Sequence, residues 1–135
     1  RIKRMREIKF RAWDTKSESM EYEIAIGKGY GEDSYILFLG LGETFIIDDD
    51  IVKIMQYTGL KDKNNVEIYE SDICRCLGGS EFNGHYEYNR IYEVKWQGSG
   101  LEMMIDNCGY GWNYSSGFEY IEVIGNIYEN PELLN

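Results

Sequence analysis

The C-terminal half of the chain contains a segment in which the aromatic residues share the even positions. They are Tyr110, Trp112, Tyr114, Phe118 and Tyr120, and small or polar residues occupy the odd positions between them. Because successive side chains of an extended strand point to opposite faces, one face of this segment is nearly all aromatic. Such a face can stack on bases or sugars, bind a protein partner, or form the core face of a sheet.

The cysteines and the single histidine do not form a recognisable metal or redox motif. Cys74 and Cys76 are separated by one residue, whereas zinc sites space two cysteines by two to four residues and add further ligands. His85 and Cys108 are the remaining candidates. An odd number of cysteines is atypical of a disulfide framework. We therefore predict buried structural thiols, no metal site and no cofactor.

Neither the glycine run 27–31 nor the acidic run 48–50 has the spacing of a ligand site. The first reads Gly-x-Gly-x-Gly with no helix after it, which does not match a dinucleotide-binding turn. The second lacks the residue pattern of a calcium loop. His85 has no Ser or Cys nucleophile beside it in sequence. We therefore predict that the protein is not an enzyme, and catalysis by a pair of carboxylates stays open as an alternative.

The segments that position these residues are predicted to be strands. Charged and apolar residues alternate over 7–12 and 20–26, which is typical of half-buried antiparallel strands. Apolar runs between Gly or Asn turns predict further strands at 35–39, 43–47, 52–58, 66–69, 72–77, 91–96, 101–105 and 119–128. A helix start appears at 130–134, with Asn130 as the N-cap residue and Pro131 in the first position.

This order of segments predicts a mainly β fold. The turn and strand at residues 69–73 are similar to the beginning of small SH3-like barrels. We expect a partly open SH3-like barrel over about 52–128, an additional N-terminal antiparallel sheet and a short C-terminal helical turn. The similarity to these barrels concerns the fold and does not specify a function.

The chain is acidic, but its charge is uneven. Fourteen basic and 24 acidic residues give a net charge of −10, whereas residues 1–11 carry six basic residues and one acid. The acidic balance disfavours nonspecific binding to nucleic-acid phosphates and to anionic membranes. The sequence has no apolar run long enough to span a membrane and no recognisable signal peptide. The basic start is either an arm for nucleic acid or a first strand with Lys9 and Arg11 facing outward.

Three blocks of sequence resemble the YopX family of bacteriophage and prophage proteins. They span 5–14, 55–73 and 123–134, in this order, and the resemblance covers residues 5–135 as one domain. It implies an uncharacterised phage-encoded protein in the cytoplasm of a bacterial host, with no established catalytic residue to carry over. It also implies that residues 1–4 are an N-terminal extension ahead of Met5.

The resemblance also draws attention to two turn positions. Family members usually carry Gly where this chain has Asn65 and Ser71. Both residues lie in predicted turns, where Gly most readily adopts a left-handed backbone conformation.

These observations together predict a non-enzymatic interaction protein. An acidic surface accelerates encounter with a host or phage protein that has a basic surface, and aromatic anchors supply affinity. Tyr110, Trp112 and Tyr114 are the predicted partner-binding residues. The many Tyr and Trp side chains also suit a homo-oligomer. The alternatives are single-stranded nucleic-acid binding by aromatic stacking and a small carboxylate-dependent hydrolase.

Overall fold

The computed structural model describes residues 7–29, 35–39, 44–46, 50–78, 88–96, 103–105 and 121–135. The chain divides into two compact units, Arg1–Tyr57 and Thr58–Asn135. Strands dominate both units, and the described residues contain no helix with the length and apolar character needed to cross a membrane.

The first unit is built on antiparallel strands. They are β1 (Phe10–Asp14), β2 (Ser19–Lys28), β3 (Tyr35–Leu39), β4 (Thr44–Ile46) and the beginning of β5 (Val52–Lys61). Their order in the sheet is β4-β3-β2-β1-β5, so β1 is a central strand although it is first in sequence. The strands predicted at 35–39 and 43–47 are present as β3 and β4, which pair in antiparallel fashion.

Both faces of β1 are buried. Arg11, Ala12 and Trp13 are consecutive and therefore point to alternating faces, yet all three are buried, whereas Ile8 is 65% exposed. The prediction that Arg11 faces outward is therefore wrong, because its guanidinium Nε donates a hydrogen bond to Sδ of Met55 at 3.4 Å on the neighbouring strand. A long basic side chain can bury its aliphatic stem in this way, and charge alternation does not reveal it.

The turn between β1 and β2 is held by Asp14. Its Oδ1 accepts hydrogen bonds from the backbone amides of Lys16 at 2.8 Å and Ser17 at 3.3 Å. These two amides hold the pKa of the Asp14 carboxyl below its ordinary value. Glu18 completes the turn with a left-handed φ of 52°. The turn delivers the chain into the first half of β2.

The second unit contains the rest of β5 and five further strands. They are β6 (Glu67–Tyr69), β7 (Asp72–Gly78), β8 (Tyr88–Trp96), β9 (Met103–Ile105) and β10 (Ile121–Asn126), and a 3₁₀ turn follows at Pro131–Leu134. β6 lies beside β5, and the other strands form an antiparallel sheet in the order β10-β7-β8-β9. The core of this unit is formed by Ile68, Cys74 and Val94, with Leu60, Ile121 and Val123 packed against them.

The predicted mainly β fold is confirmed. Over the described residues, the two antiparallel sheets are not closed into a barrel. The part expected to be barrel-like over 52–128 is therefore open, because β5 and β6 belong to one sheet and β7 to β10 belong to the other.

The C-terminal helical turn is also confirmed, but its N-terminus differs from the prediction. Asn130 precedes the 3₁₀ turn, yet its side chain makes no capping hydrogen bond. Its Oδ1 instead accepts a hydrogen bond from the backbone amide of Asn126 at 3.3 Å. The amide of a residue four positions earlier therefore takes the place of an N-cap contact.

The two turn positions highlighted by the family resemblance share a left-handed backbone. Asn65 has a φ of 66° and Ser71 has a φ of 67°. An L-residue pays a steric penalty in this region, which Gly avoids and Asn tolerates better than most residues.

Candidate functional site

The predicted anchors Tyr110, Trp112 and Tyr114 lie outside the described residues, as do His85 and Cys108. Within the described part of the chain, three kinds of side chain are candidates for chemistry or binding. These are the cysteines of β7, the buried polar residues of the second unit, and the exposed residues at the beginning of β2.

The thiol of Cys74 lies in the core of the second unit beside Ile68 and Val94 and has no exposed surface. Burial raises its pKa well above the ordinary value, and the negative charge of Asp72 acts in the same direction. A thiol that stays protonated is a poor nucleophile and a poor metal ligand. The prediction of a buried structural thiol is thus confirmed for Cys74, whereas Cys76 is only half-buried. No group of three or more His, Cys, Asp or Glu side chains is arranged for a metal ion in the described ranges.

Asp62 is a buried carboxylate whose two oxygens are both used by the backbone. Its Oδ1 accepts hydrogen bonds from the amides of Asn64 at 2.8 Å and Val66 at 2.9 Å, and its Oδ2 accepts one from the amide of Val123 at 2.8 Å. The residue is 6% exposed. These contacts make Asp62 an anchor for the turn after β5 and for β10, and its burial leaves the carboxylate little access to a substrate in solvent.

Asp72 plays a similar part in the turn between β6 and β7. Its Oδ2 accepts a hydrogen bond from the amide of Tyr69 at 2.7 Å, and the residue is buried. The amide of Ser71, inside the same turn, donates to the carbonyl oxygen of Val94 at 2.9 Å. The Asp72 carboxylate therefore holds the turn together, and the Ser71 amide attaches the turn to β8.

Asn126 is the third buried polar residue that holds a turn. Its Oδ1 accepts hydrogen bonds from the amides of Tyr128 at 3.1 Å and Glu129 at 2.9 Å. Short-range pairing of this kind is typical of Asn and Asp at the beginning of a turn. The turn residues in the sequence signal these local contacts, whereas the contact between Asp62 and Val123 has no local signal.

Tyr22 differs from the aromatic residues that line the sheets. Trp13, Tyr57, Tyr69 and Tyr92 are all buried, whereas Tyr22 is 55% exposed. Among the aromatic residues whose side chains the structure describes, it is the exposed one. Sequence reasoning missed it as a candidate, because the alternation over 20–26 predicts Tyr22 on the buried face.

A β-bulge explains the exposure of this part of β2. Phe10 lies opposite Ile24 and Ala12 lies opposite Glu21, so β2 contains one more residue than β1 over this interval. A bulge interrupts the regular alternation of faces and turns side chains outward. Glu21, Tyr22 and Glu23 are consequently all exposed.

Exposed Glu18 precedes these residues at the end of the β1–β2 turn. We refer to the exposed set Glu18, Glu21, Tyr22 and Glu23 as the acidic strip. Residues 17–27 contain three carboxylates and no Lys or Arg. The strip therefore combines an aromatic ring with a negative segment, flanked by exposed Lys16 and Lys28, and its carboxylates suit a cationic ligand.

Comparison with known proteins places this chain among relatives of the same architecture. Protein EF1440 from Enterococcus faecalis has a crystal structure similar to this one, with a TM-score of 0.67 and 29% sequence identity, covering 97% of this chain and 100% of that chain. Protein yopX from Bacillus subtilis is similar with a TM-score of 0.60 and 23% identity, covering 97% of this chain and 98% of that chain. Among curated proteins, no match was found. The family model described as "YopX protein" matches residues 9–135. This match extends over nearly the whole sequence, and the chain therefore belongs to the YopX family.

Proposed function

We propose that this protein is a non-enzymatic, phage-encoded interaction protein that binds a basic surface of another protein in the cytoplasm of a bacterial host. The observation that carries the proposal is the exposure of Tyr22, 55%, between the exposed carboxylates of Glu21 and Glu23. Tyr is enriched among residues that dominate binding energy, because its ring is apolar and its hydroxyl can remain hydrated. The surrounding carboxylates favour a basic partner and accelerate encounter.

The placement of the buried polar groups supports a non-enzymatic role. Asp62 and Asp72 are 6% and 2% exposed and accept hydrogen bonds from backbone amides. The Cys74 thiol is buried and kept protonated. Groups that already hold turns and core do not offer a nucleophile or a general base to a substrate. The described residues therefore favour binding over the alternative of a carboxylate-dependent hydrolase.

The N-terminal strand gives little support to the alternative of nucleic-acid binding. Arg11 is 4% exposed, and Trp13 is buried on the same face of the strand. Nζ of Lys9 lies 3.0 Å from Oε1 of Glu7 and 4.8 Å from the centre of the Tyr57 ring. A phosphate-binding arm needs exposed cations, and a stacking platform needs exposed rings. The N-terminal strand thus favours a protein partner over nucleic acid. Tyr110, Trp112 and Tyr114 remain additional predicted anchors for that partner.

Affinity capture from lysate of the bacterial host tests the proposal. We expect the immobilised protein to retain one stoichiometric protein that survives nuclease treatment and weakens at high salt. Tyr22→Ala should reduce this capture at least tenfold, because an exposed aromatic anchor contributes about 2 kcal/mol or more to a typical interface. Trp112→Ala tests the predicted second anchor in the same assay.

The matched control is Ile91→Ala, which shortens another exposed apolar side chain, 40% exposed, in the second unit. It should leave capture unchanged. Thermal melting of each variant confirms that the fold is retained. Capture that disappears with nuclease, that is absent altogether, or that is unaffected by both aromatic substitutions would contradict the proposed function.

A further inference from the structure

We propose that the partner is recognised by β-strand addition, in which a basic segment in extended conformation pairs with the edge of β2 at residues 19–23. This inference rests on the proposed function and specifies how the partner is held. Strand addition supplies affinity through main-chain hydrogen bonds and specificity through alternate side chains.

The first half of β2 has a described strand on one side only. β1 pairs with β2 through residues 19–24, whereas β3 lies opposite residues 24–28 of β2. β4 pairs with β3, with Thr44 opposite Phe38, and is separated from β2 by β3 in the strand order. Among the described strands, none therefore covers residues 19–23 on the side away from β1. A strand edge in this situation presents backbone donors and acceptors that can pair with an added strand.

The side chains at this edge determine which strand it accepts. Glu18, Glu21 and Glu23 are exposed, and residues 17–27 contain no Lys or Arg. A second copy of the same edge would bring like charges opposite each other, which destabilises pairing. A segment with Lys or Arg at alternate positions places opposite charges there instead. The charges that disfavour edge-to-edge self-pairing thus select a basic partner.

Tyr22 contributes the apolar part of the same surface. Its ring is 55% exposed at the bulge, between two of the three carboxylates. An added strand that alternates basic and apolar residues can therefore place its cations near Glu21 and Glu23 and cover the ring. An edge that no described strand covers, the aromatic ring and the charge together point to an extended basic segment.

The test uses a fluorescein-labelled eight-residue peptide of alternating Lys and Val, with the full chain, and records fluorescence anisotropy at low salt. Two further peptides carry N-methyl groups on alternate amides, one peptide for each edge of the strand. N-methylation removes the hydrogen-bond donors of that edge and leaves the charge unchanged. We expect the parent peptide to bind, and at least one N-methylated peptide to bind at least tenfold more weakly.

The site is located by two charge-matched double variants. Glu21→Gln with Glu23→Gln should weaken the parent peptide about tenfold, which corresponds to about 1.4 kcal/mol. Glu129→Gln with Glu132→Gln removes the same charge from exposed residues near the C-terminus and should have little effect. Thermal melting of both variants verifies that each is folded.

Each outcome separates the inference from the proposed function. Equal binding of the parent and both N-methylated peptides would overturn strand addition, while charge-guided partner binding through Tyr22 would stand. Absence of peptide binding, equal effects of the two double variants, or dimerisation through this edge would also overturn strand addition. The capture experiment with Tyr22→Ala remains the independent measure of the proposed function.

Discussion

The Oδ2 of Asp62 accepts a hydrogen bond from the backbone amide of Val123 at 2.8 Å, although 61 residues separate them in sequence. The next backbone amide, of Lys63, donates to the carbonyl oxygen of Ile121 at 3.0 Å. These two contacts lie on β10, whose pairing with β7 uses its other edge. The turn after β5 therefore acts as a short substitute for a neighbouring strand along β10.

This role of Asp62 predicts a large loss of stability on substitution. Asp62→Ala removes the acceptor of three backbone hydrogen bonds and leaves amides without that partner, so we expect a loss of about 2–4 kcal/mol in the free energy of unfolding. Asp62→Asn retains one oxygen and should lose less. Urea denaturation followed by circular dichroism measures both values.

The control for Asp62 is Glu129→Gln, which removes one negative charge from an exposed position. It should change stability by less than about 0.5 kcal/mol. Comparable losses for Asp62→Ala and Glu129→Gln would show that net charge, rather than the hydrogen bonds of Asp62, determines the effect.

Ser71→Gly should stabilise the protein. Ser71 has a φ of 67°, where an L-residue is strained by about 1–2 kcal/mol relative to Gly. Part of the stabilisation from relieving this strain is offset, because Gly gives the unfolded chain more conformational entropy. The contacts of Ser71 to Val94 and Ile127 are made by its backbone and survive the substitution. We expect a gain of about 0.5–1 kcal/mol and a higher Tm. Asn65→Gly should give a smaller gain, since Asn tolerates this conformation, and a loss of stability in Ser71→Gly would refute the strain argument.

The Cys74 thiol should make stability depend on alkaline pH. Burial raises its pKa above the ordinary value of 9.0, so the folded chain keeps a proton that the unfolded chain releases. The contribution of the buried thiol to the free energy of unfolding is therefore complete below pH 9 and is lost progressively as the pH rises above that value. Urea denaturation from pH 7 to 10.5 should show a steeper decline for the wild type than for Cys74→Ala, by up to about 1.4 kcal/mol per pH unit. Parallel declines would indicate that Cys74 ionises equally in both states.

Gly125 should not accept a side chain while Asn130 keeps its position. A Cβ at residue 125 would lie 2.5 Å from Oδ1 and 3.0 Å from Cβ of Asn130, whose Oδ1 accepts the hydrogen bond from Asn126. Gly125→Ala should therefore cost about 1–3 kcal/mol. In a double-mutant cycle with Asn130→Ala, the second substitution should remove part of this cost, with a coupling of about 0.5 kcal/mol or more. Strictly additive losses would argue against the close contact.

The sequence by itself determined the strands and several of the turns. Alternation and apolar runs located the segments that become β2, β3 and β7, and Asn in a turn signal marked residue 65, while the family resemblance drew attention to residue 71; both have a left-handed backbone. These features are local, because φ and ψ preferences and strand periodicity are properties of neighbouring residues. Tyr110, Trp112 and Tyr114 stay a prediction of the same local kind.

Only the tertiary structure decided which faces are covered and where regular pairing is interrupted. The alternation predicts that Arg11 is exposed, yet the side chain is buried and contacts Met55, forty-four residues away. The alternation predicts that Tyr22 is buried, yet the extra residue in β2 relative to β1 turns the side chain outward. The hydrogen bond between Asp62 and Val123 likewise depends on two segments that meet only after folding. Burial and register are set by the neighbouring strand, and a local pattern does not contain that neighbour.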